Sequence, residues 1–187
     1  MDSLLGVSVG LALSTAAGLR IFVPLLITSA AAQLGYITLA PGMTWIGTGT
    51  AFVAFATATV VEVAAYYVPW FDNLLDTIAM PVAMTAGVIA TAAVTPDLPP
   101  LLRWTIAIVA GGGAAGLVQA GSALLRLKSS LVTTGAGNPI LATAELVGAV
   151  GLAVLGVLVP LLGILVVAIV LVVLVRRLRR SGRARPA

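Results

Sequence analysis

The sequence has no cysteine and no histidine, and only 9% of its residues are charged. Without thiolate or imidazole there is no Cys/His zinc site, no histidine axial ligand for haem, no histidine-dependent triad and no disulfide. The scarcity of charge is as informative, because soluble proteins carry about 25% charged residues. Here 60% of the 187 residues are hydrophobic and the mean hydropathy is +1.17. That composition predicts an all-α integral membrane protein. At about 20 apolar residues per crossing, the length leaves no room for an additional soluble domain. The opening Met1-Asp2-Ser3 lacks the positive region of a signal peptide, so the first apolar segment is expected to be retained.

The sequence pI of about 10.4 does not imply nucleic-acid binding. Six of the ten basic residues are Arg176, Arg177, Arg179, Arg180, Arg183 and Arg185, leaving four basic against six acidic residues elsewhere, a net −2. A basic cluster abutting an apolar run reads as a cytoplasmic flank, and it could also hold anionic lipid head groups.

Hydropathy and turn residues predict about six spans, at 4–34, 45–68, 78–94, 101–125, 140–159 and 161–175, in one domain over 1–175 with a basic tail at 176–187. The first is too long for one straight crossing and is expected to be broken or kinked around Gly18, Arg20 and Pro24. Residues 69–77 read as an interfacial connection, and 126–138 as a polar loop in which Asn138 caps a helix beginning at Pro139. At Pro160 a hairpin is preferred to one long helix, because it gathers Arg126, Lys128 and the tail on one side of the membrane. Both termini are then cytoplasmic, in a bacterial inner membrane. Six spans also allow a 3+3 inverted repeat.

Arg20, Glu62 and Glu145 fall within apolar spans, where a charge costs about 2.5–3.5 kcal/mol on insertion scales. They read either as a proton or ion relay or as structural ion pairs. By rise per residue, Glu62 lies about 9 Å and Glu145 about 8 Å from the cytoplasmic side, while Arg20 is about 14 or 24 Å deep depending on where its helix begins, so its partner stays open. Asp72 and Asp76 share a helix face and, with the two glutamates, could hold a divalent cation; equally, each caps a helix. Arg126, Lys128 and Asn138 surround a glycine-rich turn that could receive an anion or lipid head group, or be an ordinary turn. Gly111 to Gly116 matches G-x-G-x-x-G but lies in an apolar helix, so a nucleotide site is rejected; Gly112 and Gly116 instead form a small-residue face for packing within the chain or between copies.

Taken together, Gly18-Leu19-Arg20 with Pro24, Glu62 through Asp76 to Pro81, and Arg126-Leu127-Lys128 through Gly137-Asn138-Pro139 to Glu145 resemble a bacterial family of small multi-span membrane proteins described only as a domain of unknown function. The resemblance covers nearly the whole chain and implies no activity. The residues themselves lead to the expectation of a small transporter or channel-like protein for an ion or polar solute, with the glutamates binding a proton or cation. The competing expectation is a non-transporting protein that binds anionic lipid or joins a larger membrane complex. No nucleophile constellation points to an enzyme, and no cofactor is expected.

Overall fold

The computed structural model describes residues 2–67, 69–133 and 136–162, with 165, 167–169, 172, 173 and 176 beyond them; over 69–77 it describes the backbone alone. Of the basic tail at 176–187, all but Arg176 lies outside the described residues. The described chain is helical, with helices α1 (Ser3–Ala17), α2 (Phe22–Gln33), α3 (Gly49–Tyr66), α4 (Pro69–Ala93), α5 (Pro100–Ile106), α6 (Gly113–Thr133) and α7 (Asn138–Leu158). A 3-10 turn at Thr44–Gly47 precedes α3, and a π-helical segment at Ala107–Gly112 joins α5 to α6.

The break between α1 and α2 has a local cause. In a continuous helix the Pro24 ring would collide with the carbonyl of Arg20, whereas in the first turn of a new helix proline is tolerated. The amides of Leu19 and Arg20 both close on Ala16 O at 2.9 Å, ending α1, and α2 begins at Phe22 with Pro24 in its first turn.

The two halves do not make one crossing. A methyl group added at Gly6 would lie 2.7 Å from Val94 O, and the Ala40 amide donates to Ala93 O at 2.7 Å, so both ends of the segment meet the C-terminal end of α4. At 1.5 Å per residue Arg20 lies about 21 Å from Gly6 along α1, and an α2 continuing in the same direction would add about 18 Å. Residues 34–40 could bridge at most about 24 Å of the resulting distance of about 39 Å. Helix α2 therefore turns back, and α1 and α2 form a re-entrant hairpin whose tip is 18–21. This corrects the expectation of a crossing at 4–34, and a hairpin whose two ends share one side changes the topology of everything after it.

Other boundaries differ as well. Helix α4 starts at Pro69, a favourable first helical residue, so 69–77 continues the helix rather than forming a connection. Helices α5 and α6 run with the π segment as one 34-residue helix, Pro100–Thr133. It is about 51 Å long against a hydrocarbon thickness of about 30 Å, so its polar end at Arg126 and Lys128 extends as helix rather than loop. Helix α7 includes Asn138, with Gly137 preceding it and no side-chain cap. It stops at Leu158, where Val159 leaves helical geometry before Pro160. Three described helices are long and apolar enough to cross a membrane, α3, the α5–α6 helix and α7, while 78–93 is a shorter apolar helix and the expected span at 161–175 lies largely outside the described residues. Their exposed Val53, Val60, Val109, Val147 and Leu158 suit lipid as solvent.

Small residues let α1 pass through the centre of the bundle. Gly6, Gly10, Ser14 and Gly18 recur every four residues and so share a face. Gly10 abuts Thr91, and Gly18 lies so close to α6 that an added methyl would be 2.5 Å from Ala115 O. Ser14 Oγ donates to Gly87 O and is paired with Thr91 Oγ1, each at 2.7 Å, and Thr91 Oγ1 donates to Gly10 O at 3.2 Å. Where water is absent, close backbone approach and interhelical hydrogen bonds are the available cohesion. The Gly112 and Gly116 face is used in the same way within the chain, against Val88 and Met84.

Candidate functional site

The hairpin tip carries Arg20 into the interior, where it is 1% exposed. Its Nη2 donates to Ala142 O of α7 at 2.7 Å, its Nη1 is 3.5 Å from Glu145 Oε2, and its guanidinium lies 4.0 Å from the centre of the Tyr66 ring. These contacts identify the partners that depth arithmetic left open. Arg126 approaches the same ring at 4.3 Å and holds Glu145 through Nε, 3.4 Å from Oε1, and through a close Nη2 contact with Oε2. Ser122, one turn before Arg126, donates to Glu145 Oε1. A single carboxylate thus faces two guanidiniums, with the Tyr66 ring stacking against both.

Glu62 is satisfied differently. Its Oε1 accepts from the Ile21 amide at 2.7 Å and its Oε2 from the Phe22 amide at 3.0 Å. These amides open α2, where the first-turn N–H groups lack helical partners and the dipole favours negative charge. A side chain on α3 therefore caps a helix across the tip of the hairpin. Among the described residues Glu62 has no ion pair. Counting Arg20, Arg126, Glu62 and Glu145 as ionised, the cluster is neutral, as the low-dielectric interior demands.

Two polar atoms at the tip, Arg20 Nε and Nη1, are buried without a hydrogen-bond partner. Nη1 retains its ion pair with Glu145, and Nε is left to the aromatic face of Tyr66. Beside the tip is a half-open cavity of about 590 Å³. Its lining includes Ile21 and Phe22 of the hairpin, Val61 and Tyr66 of α3 and Val82 of α4, with Glu62 as its carboxylate.

The structure thus brings Arg20, Glu62, Glu145 and Arg126 to one place. Lys128 is exposed on α6, outside this cluster. Asn138 is also elsewhere, with Nδ2 donating to Ser130 Oγ at 3.2 Å. The glycine-rich turn beside it has its Gly137 amide engaged by Thr133 Oγ1 at 3.0 Å, and residues 134 and 135 lie outside the described residues. Asp72 and Asp76 are on the first turns of α4, with side chains outside the described residues, as is any cation site built on them. Among the described residues no three acidic side chains come together. Tyr66 and Ser122 also belong to the cluster, though neither carries a charge that marks it in the sequence. Tyr66 reads as an interfacial aromatic, yet it is one helical turn from Glu62; Ser122 is likewise one turn from Arg126, a spacing that places each pair on one face.

The fold and site define a helical membrane protein in which a re-entrant hairpin inserts a charge-compensated polar cluster into an apolar bundle. Residues 7–180 match the family described as "Domain of unknown function (DUF4126)", and the chain belongs to that family. Comparison with curated proteins and with solved structures gives no match.

Proposed function

We propose that this protein is a small transporter or channel-like protein of the bacterial inner membrane, handling an ion or polar solute at the hairpin tip. The observation that carries this reading is the buried break at 18–21. Non-helical backbone at membrane depth is tolerated where protein buries it or where it lines a cavity, and transporters build their sites at such breaks. The two glutamates divide the work. Glu145 compensates Arg20 and Arg126, so its role is to hold the cluster together. Glu62 is held by backbone amides and borders the cavity, which makes it the carboxylate able to exchange a proton or cation.

Orientation follows from charge. Lys128 and Arg126 lie at the end of the bundle remote from Ser3, and the positive-inside rule places them in the cytoplasm. With a hairpin that returns to its own side, the N-terminus then lies on the outer side, in contrast to the expectation that both termini are cytoplasmic.

Purified protein reconstituted into liposomes tests the exchange role. An imposed ion or pH gradient should drive flux in wild type, and Glu62→Gln should abolish it while the variant still folds, as judged by its thermal unfolding. Unchanged flux in a folded Glu62→Gln variant would contradict the reading.

A further inference from the structure

The cavity next to Glu62 has chemistry of its own. Its volume of about 590 Å³ lies within the range of about 300–1,000 Å³ typical of small-molecule sites. The walls are mostly alanine, valine, isoleucine and phenylalanine, with Thr57 and Tyr66 among them, and Glu62 is the one acidic group among the described lining residues. Neither Arg20 nor Arg126 belongs to that lining. Of the roughly four acceptor positions of an ionised carboxylate, Glu62 gives two to the Ile21 and Phe22 amides, leaving acceptor capacity beside the cavity.

We propose that this cavity binds a lipophilic cation, an organic ammonium or phosphonium bearing apolar substituents, with its positive charge against Glu62 and its substituents against the walls. The alternatives fit less well on physical grounds. A small inorganic cation must exchange its water shell for several oxygen ligands. Here the polar groups among the described lining residues are one carboxylate and the hydroxyls of Thr57 and Tyr66, fewer oxygens than the about six to eight that a hard divalent cation takes. An organic anion would meet a like charge at Glu62, and a neutral lipophile would leave the carboxylate's remaining acceptor capacity unused. The route of entry agrees with the choice. Val61, Ile78 and Val82 line the cavity and are themselves exposed, so in a membrane the opening faces acyl chains, the phase in which such cations accumulate. This inference rests on the reading of Glu62 as the exchanging carboxylate and adds the class of ligand.

Equilibrium dialysis of the detergent-purified full chain against tetraphenylphosphonium, with tetraphenylborate as a probe of nearly the same shape and opposite charge, tests it. Saturable phosphonium binding is expected, weakened at least tenfold in Glu62→Gln, with no saturable borate binding. Because Glu62 also caps α2, a second variant, Ala58→Phe, fills the cavity without touching the carboxylate. It should weaken binding at least tenfold while its unfolding midpoint stays near that of wild type. Absent phosphonium binding, equal binding by Glu62→Gln, or borate binding as strong as phosphonium would each overturn the proposal. If phosphonium fails to bind while Glu62-dependent flux of a proton or small ion persists, the ligand class falls and the exchange reading stands; failure of both assays removes both.

Discussion

Replacing Glu145 with glutamine should be the most destabilising isosteric change in the cluster. The side chain keeps its shape and one acceptor oxygen for Ser122 or Arg126, but Arg20 and Arg126, 1% and 2% exposed, lose the carboxylate they share. Removing one partner of a buried ion pair costs about 3–5 kcal/mol, because the remaining charge is left uncompensated. For a chain of this size about 1 kcal/mol corresponds to about 2–4 °C in the unfolding midpoint, so a fall of about 6–20 °C is expected. Glu62→Gln also removes one negative charge from the cluster, but Glu62 is held by backbone amides and neither guanidinium is ion-paired to it, so its main loss is the acceptor of one amide, at about 1–3 kcal/mol, and it should be the milder change. Thermal unfolding in one detergent, followed by loss of the monodisperse species, gives both numbers. Charge balance also predicts non-additivity: Arg126→Gln combined with Glu145→Gln restores a neutral cluster, so the double variant should be more stable than the sum of the single changes implies. A midpoint for Glu145→Gln within about 2 °C of wild type, or strict additivity, would refute the reasoning.

The close-packed hairpin makes further predictions. At Gly18 an added methyl would sit 2.5 Å from Ala115 O and 2.7 Å from Val118 Cβ, so Gly18→Ala should destabilise by about 1–3 kcal/mol, as overpacking does. Gly113 has nothing within 4 Å of the same position, so Gly113→Ala should be neutral or stabilising by up to about 1 kcal/mol, the ordinary preference of a helix for alanine. Equal effects of the two substitutions in the same unfolding assay would contradict the assigned packing. Ser14→Ala removes a hydroxyl shared by Gly87 O and Thr91, and should cost about 1 kcal/mol; no change in midpoint would remove that hydrogen bond from the account.

Much of the helical content was legible because apolar runs and proline positions speak directly. Gly18 with Pro24 marked the break in the first segment, and the apolar runs marked α3 and α7. The direction taken after the break was not legible, since hydropathy records which residues avoid water and not whether the chain crosses or returns. What decides it is tertiary, the approach of Gly6 to Val94 and of Ala40 to Ala93. The four-residue spacing of Gly6, Gly10, Ser14 and Gly18 marks one small-residue face for close helix packing, which hydropathy does not register. Polarity misplaced Arg126: hydropathy falls after Leu125, which looks like a loop, but Arg126, Leu127 and Lys128 are good helix formers and the helix runs on to Thr133, with Arg126 paired to Glu145. For the site, intramembrane charge singles out Arg20, Glu62 and Glu145 from sequence. It could not distinguish a glutamate that balances two arginines from one that caps a helix on backbone amides.

The re-entrant hairpin is tested most directly by the sidedness of two single-cysteine variants. The chain has no cysteine of its own, and Ser3 and Lys128 are both exposed, so Ser3→Cys and Lys128→Cys can each be labelled in oriented membrane vesicles with an impermeant maleimide. The hairpin places these residues on opposite sides of the membrane, so one variant should react only from outside the vesicle and the other only after the vesicle is opened. A first segment that crossed the membrane would put both on the same side, and labelling of the two from one face would contradict the fold on which the proposed site depends.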